Sequence, residues 1–365
     1  MWARKANLVW VVWAVLCVLA MSAAPAAGHW EVGPGELVWA GGAPIVVPGY
    51  SVPSLSDLNG DGLEDLIVGA GGGGFTPSAR VYYNTGSPGA PQFGAWEYLQ
   101  ADGADMTHQV ACPSCVLHAC MGLFPRAADW DADGLKDLVV GQADGTVLIY
   151  RNVGTTSAPT FDAGQDLTWG EPGSKALVDV AGRAAPAVTD WNSDGKEDLI
   201  VGNIVGRAYV WLNEGTDTAP DFRGVFMAEA DGGVLAVPTD RASPDVFDFD
   251  ADGRKDLLTG NTEGQLLVYL NVGTDAAPTF SGYDPVLSDG APIDLYGEMR
   301  SRPSLCDWNA DGIPDVLVGY GDGLVRLYPG VPEPACATLM LLGACGLIRL
   351  RRRTRSRYAT RLGGR

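Results

Sequence analysis

The sequence predicts an all-β fold, a β-propeller of five four-stranded blades, on three observations. An Asp-rich segment recurs five times, starting at Asp57, Asp129, Asp190, Asp248 and Asp307, at intervals of 72, 61, 58 and 59 residues. A glycine follows each first Asp by 12 positions, at Gly69, Gly141, Gly202, Gly260 and Gly319. No stretch between these markers keeps a helical period; short apolar or β-branched runs such as Asp65–Gly69 and Gly145–Tyr150 are bounded by Gly, Asn and Asp instead. Self-similarity at a fixed period marks a repeat architecture, and roughly four such runs in about 60 residues is the content of one propeller blade.

The rest of each unit keeps register. An aromatic stands nine residues past the glycine at Tyr150, Trp211, Tyr269 and Tyr328. In the first copy Tyr82 lies 13 away, read as a turn expanded by Gly71 to Gly74. Two residues past the aromatic comes Asn84, Asn152, Asn213 or Asn271, and nine past each Asn comes Phe93, Phe161, Phe222 or Phe280. The fifth copy stops at Tyr328-Pro329-Gly330 with no Phe, and residues 30–45 read as the missing piece. Trp30 precedes Leu37 by seven residues as Phe280 precedes Leu287, and Ala43-Pro44-Ile45 echoes Ala291-Pro292-Ile293. An N-terminal strand completing the last blade would close the ring and remove its edges. An open array of β-units is the alternative.

Each Asp-rich segment is a candidate calcium loop. Positions 1, 3, 5 and 9 are Asp57, Asn59, Asp61 and Asp65; Asp129, Asp131, Asp133 and Asp137; Asp190, Asn192, Asp194 and Asp198; Asp248, Asp250, Asp252 and Asp256; Asp307, Asn309, Asp311 and Asp315. Ca²⁺ takes six to eight oxygens, and alternate positions in a tight loop turn side-chain oxygens inward. Gly at position 6 permits the reversal. Position 7 would lend the backbone carbonyl of Leu63, Leu135, Lys196, Arg254 or Ile313. Up to five Ca²⁺ are expected. The loop is not an EF-hand, because position 12 is Val68, Val140, Val201, Thr259 or Val318 in place of the required Glu. A turn whose Asp, Asn and Gly serve only the backbone is the competing reading, weakened by five copies of unchanged spacing. Asn at position 3 leaves loops one, three and five with three carboxylates against four in loops two and four, so weaker binding is expected there. The loops resemble those of FG-GAP and VCBS repeats, which also occur in the propeller head of integrin α-chains. The resemblance covers about residues 50–330 and implies a β-propeller with calcium in hairpin loops. Position 2, at Leu58, Trp130, Trp191, Phe249 and Trp308, reads as packing between blades, with stacking on sugars as the alternative.

The ends read as sorting signals. Residues 1–28 hold Arg4 and Lys5, an apolar run from Leu8 to Met21, and Ala24-Pro25-Ala26, the pattern of a signal peptide. Residues 331–365 hold Val331-Pro332-Glu333-Pro334, an apolar stretch to Ile348 and six arginines from Arg349 to Arg357. This tail resembles the PEP-CTERM sorting signal of bacterial exported proteins. The resemblance implies export machinery and an exosortase as partners, a transient or retained C-terminal membrane anchor, and delivery to the cell surface, outer membrane or extracellular matrix. The repeat region, 29–330, carries 15 Lys and Arg against 43 Asp and Glu, a net charge of −28. That excludes nucleic acid, whose affinity comes from phosphate neutralisation, and suits cations. Four cysteines remain in this region: Cys112, Cys115, Cys120 and Cys306. The first three, with His108 and His118, read as a disulfide-stapled loop or a zinc site.

No nucleophile, base and orienter assemble, and His is nearly absent, so the chain is read as no enzyme. The expected role is a calcium-binding adhesion or binding module for an extracellular glycan or protein. A calcium-dependent polysaccharide-degrading enzyme and a purely structural matrix protein are the alternatives.

Overall fold

The computed structural model describes residues 30–72, 74–107, 122–295 and 300–332. The signal segment, the tail from Glu333 and the segment holding Cys112, Cys115, Cys120, His108 and His118 lie outside the described residues. Among those described, there is no helix, and hence none long and apolar enough to cross a membrane. Cys306 has no disulfide partner there.

The chain folds into five four-stranded antiparallel sheets, consistent with a propeller. Sheet I comprises Val52–Ser56, Asp65–Gly72, Phe75–Tyr82 and Glu97–Tyr98. Sheet II comprises Phe124–Ala128, Asp137–Gly141, Val147–Tyr150 and Gln165–Asp166. Sheet III comprises Ala185–Thr189, Asp198–Gly202, Ala208–Trp211 and Phe226–Met227. Sheet IV comprises Ser243–Phe247, Asp256–Gly260, Leu266–Tyr269 and Asp284–Pro285. Sheet V takes Arg302–Cys306, Asp315–Gly319 and Val325–Tyr328 from the C-terminal repeat and its fourth strand, Glu36–Leu37, from the N-terminus, with Glu36 opposite Leu327. A short hairpin follows each fourth strand, as at Thr168–Trp169 and Ala176–Leu177.

The second strands explain themselves. Asp-Leu-Val-Val-Gly at 137–141 and its counterparts are buried at every residue, because each sheet has another packed on both faces. Strands buried on both faces read as apolar runs rather than alternations. Five core clusters fill the spaces between successive sheets, the fifth joining Leu317 and Leu327 of sheet V to Leu66 and Val68 of sheet I.

The invariant glycine sits where neighbouring sheets come closest. A Cβ at Gly69 would stand 2.0 Å from the Leu123 carbonyl oxygen. At Gly141, Gly202 and Gly260 it would meet the carbonyls of Ala184, Ala242 and Ser301 at 2.2–2.4 Å. At Gly319 the partner is Ser51, ahead of sheet I, at 2.3 Å. The first strands accordingly pack in succession, and that of sheet V also lies against that of sheet I.

The position-2 residues pack between sheets. Trp130 meets Phe222 with ring centroids 5.7 Å apart, Trp191 meets Phe280 at 5.8 Å, and Trp308 meets Phe93 at 5.7 Å. Phe249 meets Trp30 at 4.5 Å. The packing reading holds for these rings, with a correction of register. Val32, not Trp30, occupies the backbone place of the repeat Phe: Val32 bridges Gly330 as Phe280 bridges Asn271. Valine has no ring to set against Phe249, and Trp30, two residues back, supplies the ring instead, in a core cluster that also holds Val32. The Ala43-Pro44 and Ala291-Pro292 correspondence stands, each pair forming the return strand of a short hairpin. The first unit also differs from expectation. Its four extra residues lengthen two strands, with Gly72 opposite Phe75, and do not widen a turn.

Candidate metal centre

Each Asp-rich loop joins the first and second strands of its sheet. Position 6 needs glycine: Gly62, Gly134, Gly195, Gly253 and Gly312 lie at φ between 81° and 89°. The position-1 carboxylate accepts the amide of that glycine at 2.9–3.1 Å in all five loops. The position-5 carboxylate accepts the amide of residue 7, thus of Leu63, Leu135, Lys196, Arg254 and Ile313, at 2.8–3.0 Å. In loops one, three, four and five the amide of residue 5 is shared between positions 1 and 3, as with Asp252 donating to Asp248 and Asp250 at 3.1 Å each. These bonds fix the loop yet use only a fraction of the roughly four lone-pair sites of a carboxylate.

Loop two differs. Asp129 Oδ1 and Asp131 Oδ1 are buried with no hydrogen-bond partner among the described residues. Oxygens of Asp129, Asp131 and Asp133 lie within 4.8 Å of one another, as do those of Asp248, Asp250 and Asp256 in loop four. These two acid triads fall in the two loops with four carboxylates. Buried, unpartnered anionic oxygens are costly unless a cation meets them, and an all-oxygen donor set suits a hard divalent ion.

Position 9 has a task in the backbone. Asp65, Asp137, Asp198, Asp256 and Asp315 each open a second strand and are buried. One oxygen accepts the position-2 amide of Leu58, Trp130, Trp191, Phe249 or Trp308 at 2.8–3.2 Å. The other accepts the amide of Asn84, Asn152, Asn213, Asn271 or Gly330 at 2.5–2.9 Å. Burial holds the carboxyls of Asp65, Asp137 and Asp256 up at about 6 against these amide bonds, and raises Asp198 and Asp315 in the same direction.

The structure adds side-chain contacts that spacing alone did not mark, including ion pairs of Lys196 and Arg254, which spacing offered only for their backbone carbonyls. Arg151 pairs with Asp131, Lys196 with Asp194 at 3.1 Å, and Arg254 with Asp252. Lys255 bonds the Asp190 carbonyl and Ser193 Oγ and lies 3.6 Å from Asp275, tying loop three to sheet IV. The repeat Asn was visible as a marker, and its role is now plain: in Asn213, Oδ1 accepts the amides of Gly215 and Asp221, closing the turn after the third strand.

Comparison with known proteins agrees with this architecture. Residues 190–259 and 248–318 match the FG-GAP-like repeat model, and residues 48–88 match the FG-GAP repeat model. Integrin alpha-4 of Xenopus laevis is 24% identical over 242 residues, covering 62% of this chain and 23% of its own length. Integrin alpha-7 of Homo sapiens is 35% identical over 97 residues, covering 23% of this chain and 8% of its own. The chain thus spans less than a quarter of the length of the integrin chains it matches. Among solved structures, the GH43_1 enzyme from Xanthomonas citri complexed with xylotriose is 16% identical with a TM-score of 0.44, covering 78% of this chain and 88% of that one. BBS1N in complex with ARL6DN gives 12% and 0.36, covering 84% and 98%. The repeat matches and the integrin relatives support an FG-GAP β-propeller protein.

Proposed function

We propose that the chain is an exported, calcium-binding propeller of five blades, its ring completed by the N-terminal strand, which binds an extracellular glycan or protein and does not catalyse. One observation carries the calcium reading: the buried, unpartnered Asp129 Oδ1 and Asp131 Oδ1 beside Asp133. The side chains of Asp129, Asp131, Asp133, Asp248, Asp250 and Asp256 would hold the two best-formed ions, and the Asn-bearing loops weaker ones. When bound, calcium neutralises clustered carboxylates and ties the loop to the first residue of the second strand. At affinities of roughly 0.1–1 mM, usual for extracellular modules, its role is to stiffen loops that present the ligand. Similarity to integrin α-chains supports a surface binding role, and the two terminal signals support export.

Calorimetric titration of the purified chain with calcium, paired with melts in calcium and in chelator, tests the reading. Saturable binding with a rise in Tm is expected; no heat and coincident melts would sink it. A glycan array probed with and without calcium addresses the ligand, and a polysaccharide panel scored for turnover addresses catalysis. Acidification provides an independent check. Asp65, Asp137 and Asp256 take protons near pH 6, and protonated carboxyls are poor ligands, so calcium affinity is expected to fall as pH drops below about 6. Unchanged affinity at pH 5 would remove the position-9 Asp from the ligand set.

A further inference from the structure

Two residues ahead of each first strand stands, in chain order, Tyr50, Gly122, Arg183, Arg241 or Arg300. Because the first strands pack in succession, these positions gather at one end of the bundle they form. Arg302, which opens its strand, joins them. The Arg183 guanidinium lies 4.8 Å from the Phe124 ring centroid, and that of Arg302 lies 5.6 Å from the same ring. Arg300 and Arg302 lie 4.5 and 4.8 Å from the Tyr50 ring. Three guanidiniums are thus collected around two aromatic faces in a repeat region of strongly negative net charge.

Among the described residues, their donors are not all matched. Arg183 is fixed by bonds to the Ala242 carbonyl and Ser243 Oγ, but its Nε has no partner. Arg302, 1% exposed, donates through Nη1 to the Arg300 carbonyl, leaving Nε and Nη2 without one. Arg300 Nη1 is also unpartnered. Burial and the neighbouring arginines push Arg302 down to about 9, which still leaves it charged at neutral pH. Among the described residues, Asp240 lies near Arg241. Two residues along the first strands, Asp245 faces Arg126, and its oxygens accept the amides of Leu305 and Val246. The backbone is strained as well: Arg183, Arg241 and Arg300 adopt φ of 50°, 67° and 83°. Like charges buried together with idle donors cost stability unless an anion joins them.

The geometry points to an oxyanion site on this arginine layer, where a single sulfate, phosphate or carboxylate group is held by Arg183, Arg300 and Arg302 beside Tyr50 and Phe124. Half-buried Arg300 and Tyr50 form its entrance. The site is separate from the Asp loops and does not depend on calcium.

Isothermal titration of the purified protein with sodium sulfate, phosphate and acetate, at ionic strength fixed with chloride, tests it with and without calcium. One-to-one saturable binding of at least one of the three is expected, tetrahedral anions against acetate deciding the shape preferred. Arg300→Gln is expected to weaken that binding about tenfold or more, the size of one lost charge-assisted hydrogen bond. Arg302→Met is expected to melt above the parent in chloride alone and to gain nothing from the oxyanion. No saturable binding by any of the three, or equal binding by Arg300→Gln, would overturn the proposal. If Arg302→Met does not fold, the Arg300→Gln comparison decides alone.

Discussion

Asp137→Ala is expected to cost about 3–5 kcal/mol of stability even in chelator, where no bound ion contributes. The carboxylate is 1% exposed and takes the Trp130 amide at 3.2 Å and the Asn152 amide at 2.7 Å. Truncation orphans both donors, at about 1–3 kcal/mol each, and leaves a void between loop and strand. Asp137→Asn keeps the shape but turns an NH₂ toward one of the two amides, so about 1–3 kcal/mol is expected. Urea melts in chelator would read both. A loss below about 1 kcal/mol for the alanine variant would show that these amides find water instead. The pH dependence has a definite sign. Burial raises Asp137 to about 6, above the unfolded value near 4. Between these values this carboxyl binds more protons in the folded chain than in the unfolded one, so its own contribution to calcium-free stability falls as pH rises from about 4 to about 6 and is constant above. Asp137→Asn should make that slope shallower. Asp65 and Asp256, raised to the same value, and Asp198 and Asp315, raised in the same direction, keep their own contributions to it.

How much was legible in the sequence follows from what each residue answers to. The Asp-loop markers, the glycine and the Asn all report contacts set by the backbone, which the repeat reproduces copy after copy, so their spacing shows through. The Ala43-Pro44-Ile45 match found the N-terminal strand for the same reason. Trp30 misled because a ring can be delivered from two residues away, so aromatic identity does not fix register where Val32 holds the backbone place. The charged partners of the loops were hidden for a different reason. Arg151 and Lys255 act through long side chains that reach another turn or sheet, and no fixed spacing encodes that reach. The arginine layer stands at a fixed spacing, with Tyr50, Gly122, Arg183, Arg241 and Arg300 each seven residues before the first Asp of its loop, but the residue type changes from copy to copy, and only the packed first strands bring Arg183, Arg300 and Arg302 to common aromatic faces.

Gly202→Ala is expected to destabilise the domain by about 3 kcal/mol, although alanine suits a strand better than glycine. Two effects compete. Alanine narrows the unfolded ensemble and by itself stabilises by about 0.4–1 kcal/mol. Against this, its Cβ would stand 2.4 Å from the Ala242 carbonyl oxygen and 2.6 Å from Pro244 Cδ. Neither obstacle is the free end of a flexible side chain, so sheets III and IV must part, and overpacking of this kind costs about 1–3 kcal/mol or more. Parting them also loosens the core between those sheets, where Leu257 and Leu267 pack on Ile200 and Val210. The steric term wins. Gly224 is the matched control: a Cβ there meets nothing within 4 Å, and its φ is not positive, so Gly224→Ala should be neutral or slightly stabilising. Equal urea midpoints for the two variants would mean that the close approach of sheets III and IV does not set the glycine requirement. The same clash recurs at Gly319 against Ser51, so Gly319→Ala should lose as much as Gly202→Ala only if sheet V is held against sheet I as firmly as III against IV. A markedly smaller loss at Gly319 would place the weakest seam of the molecule where its two ends meet.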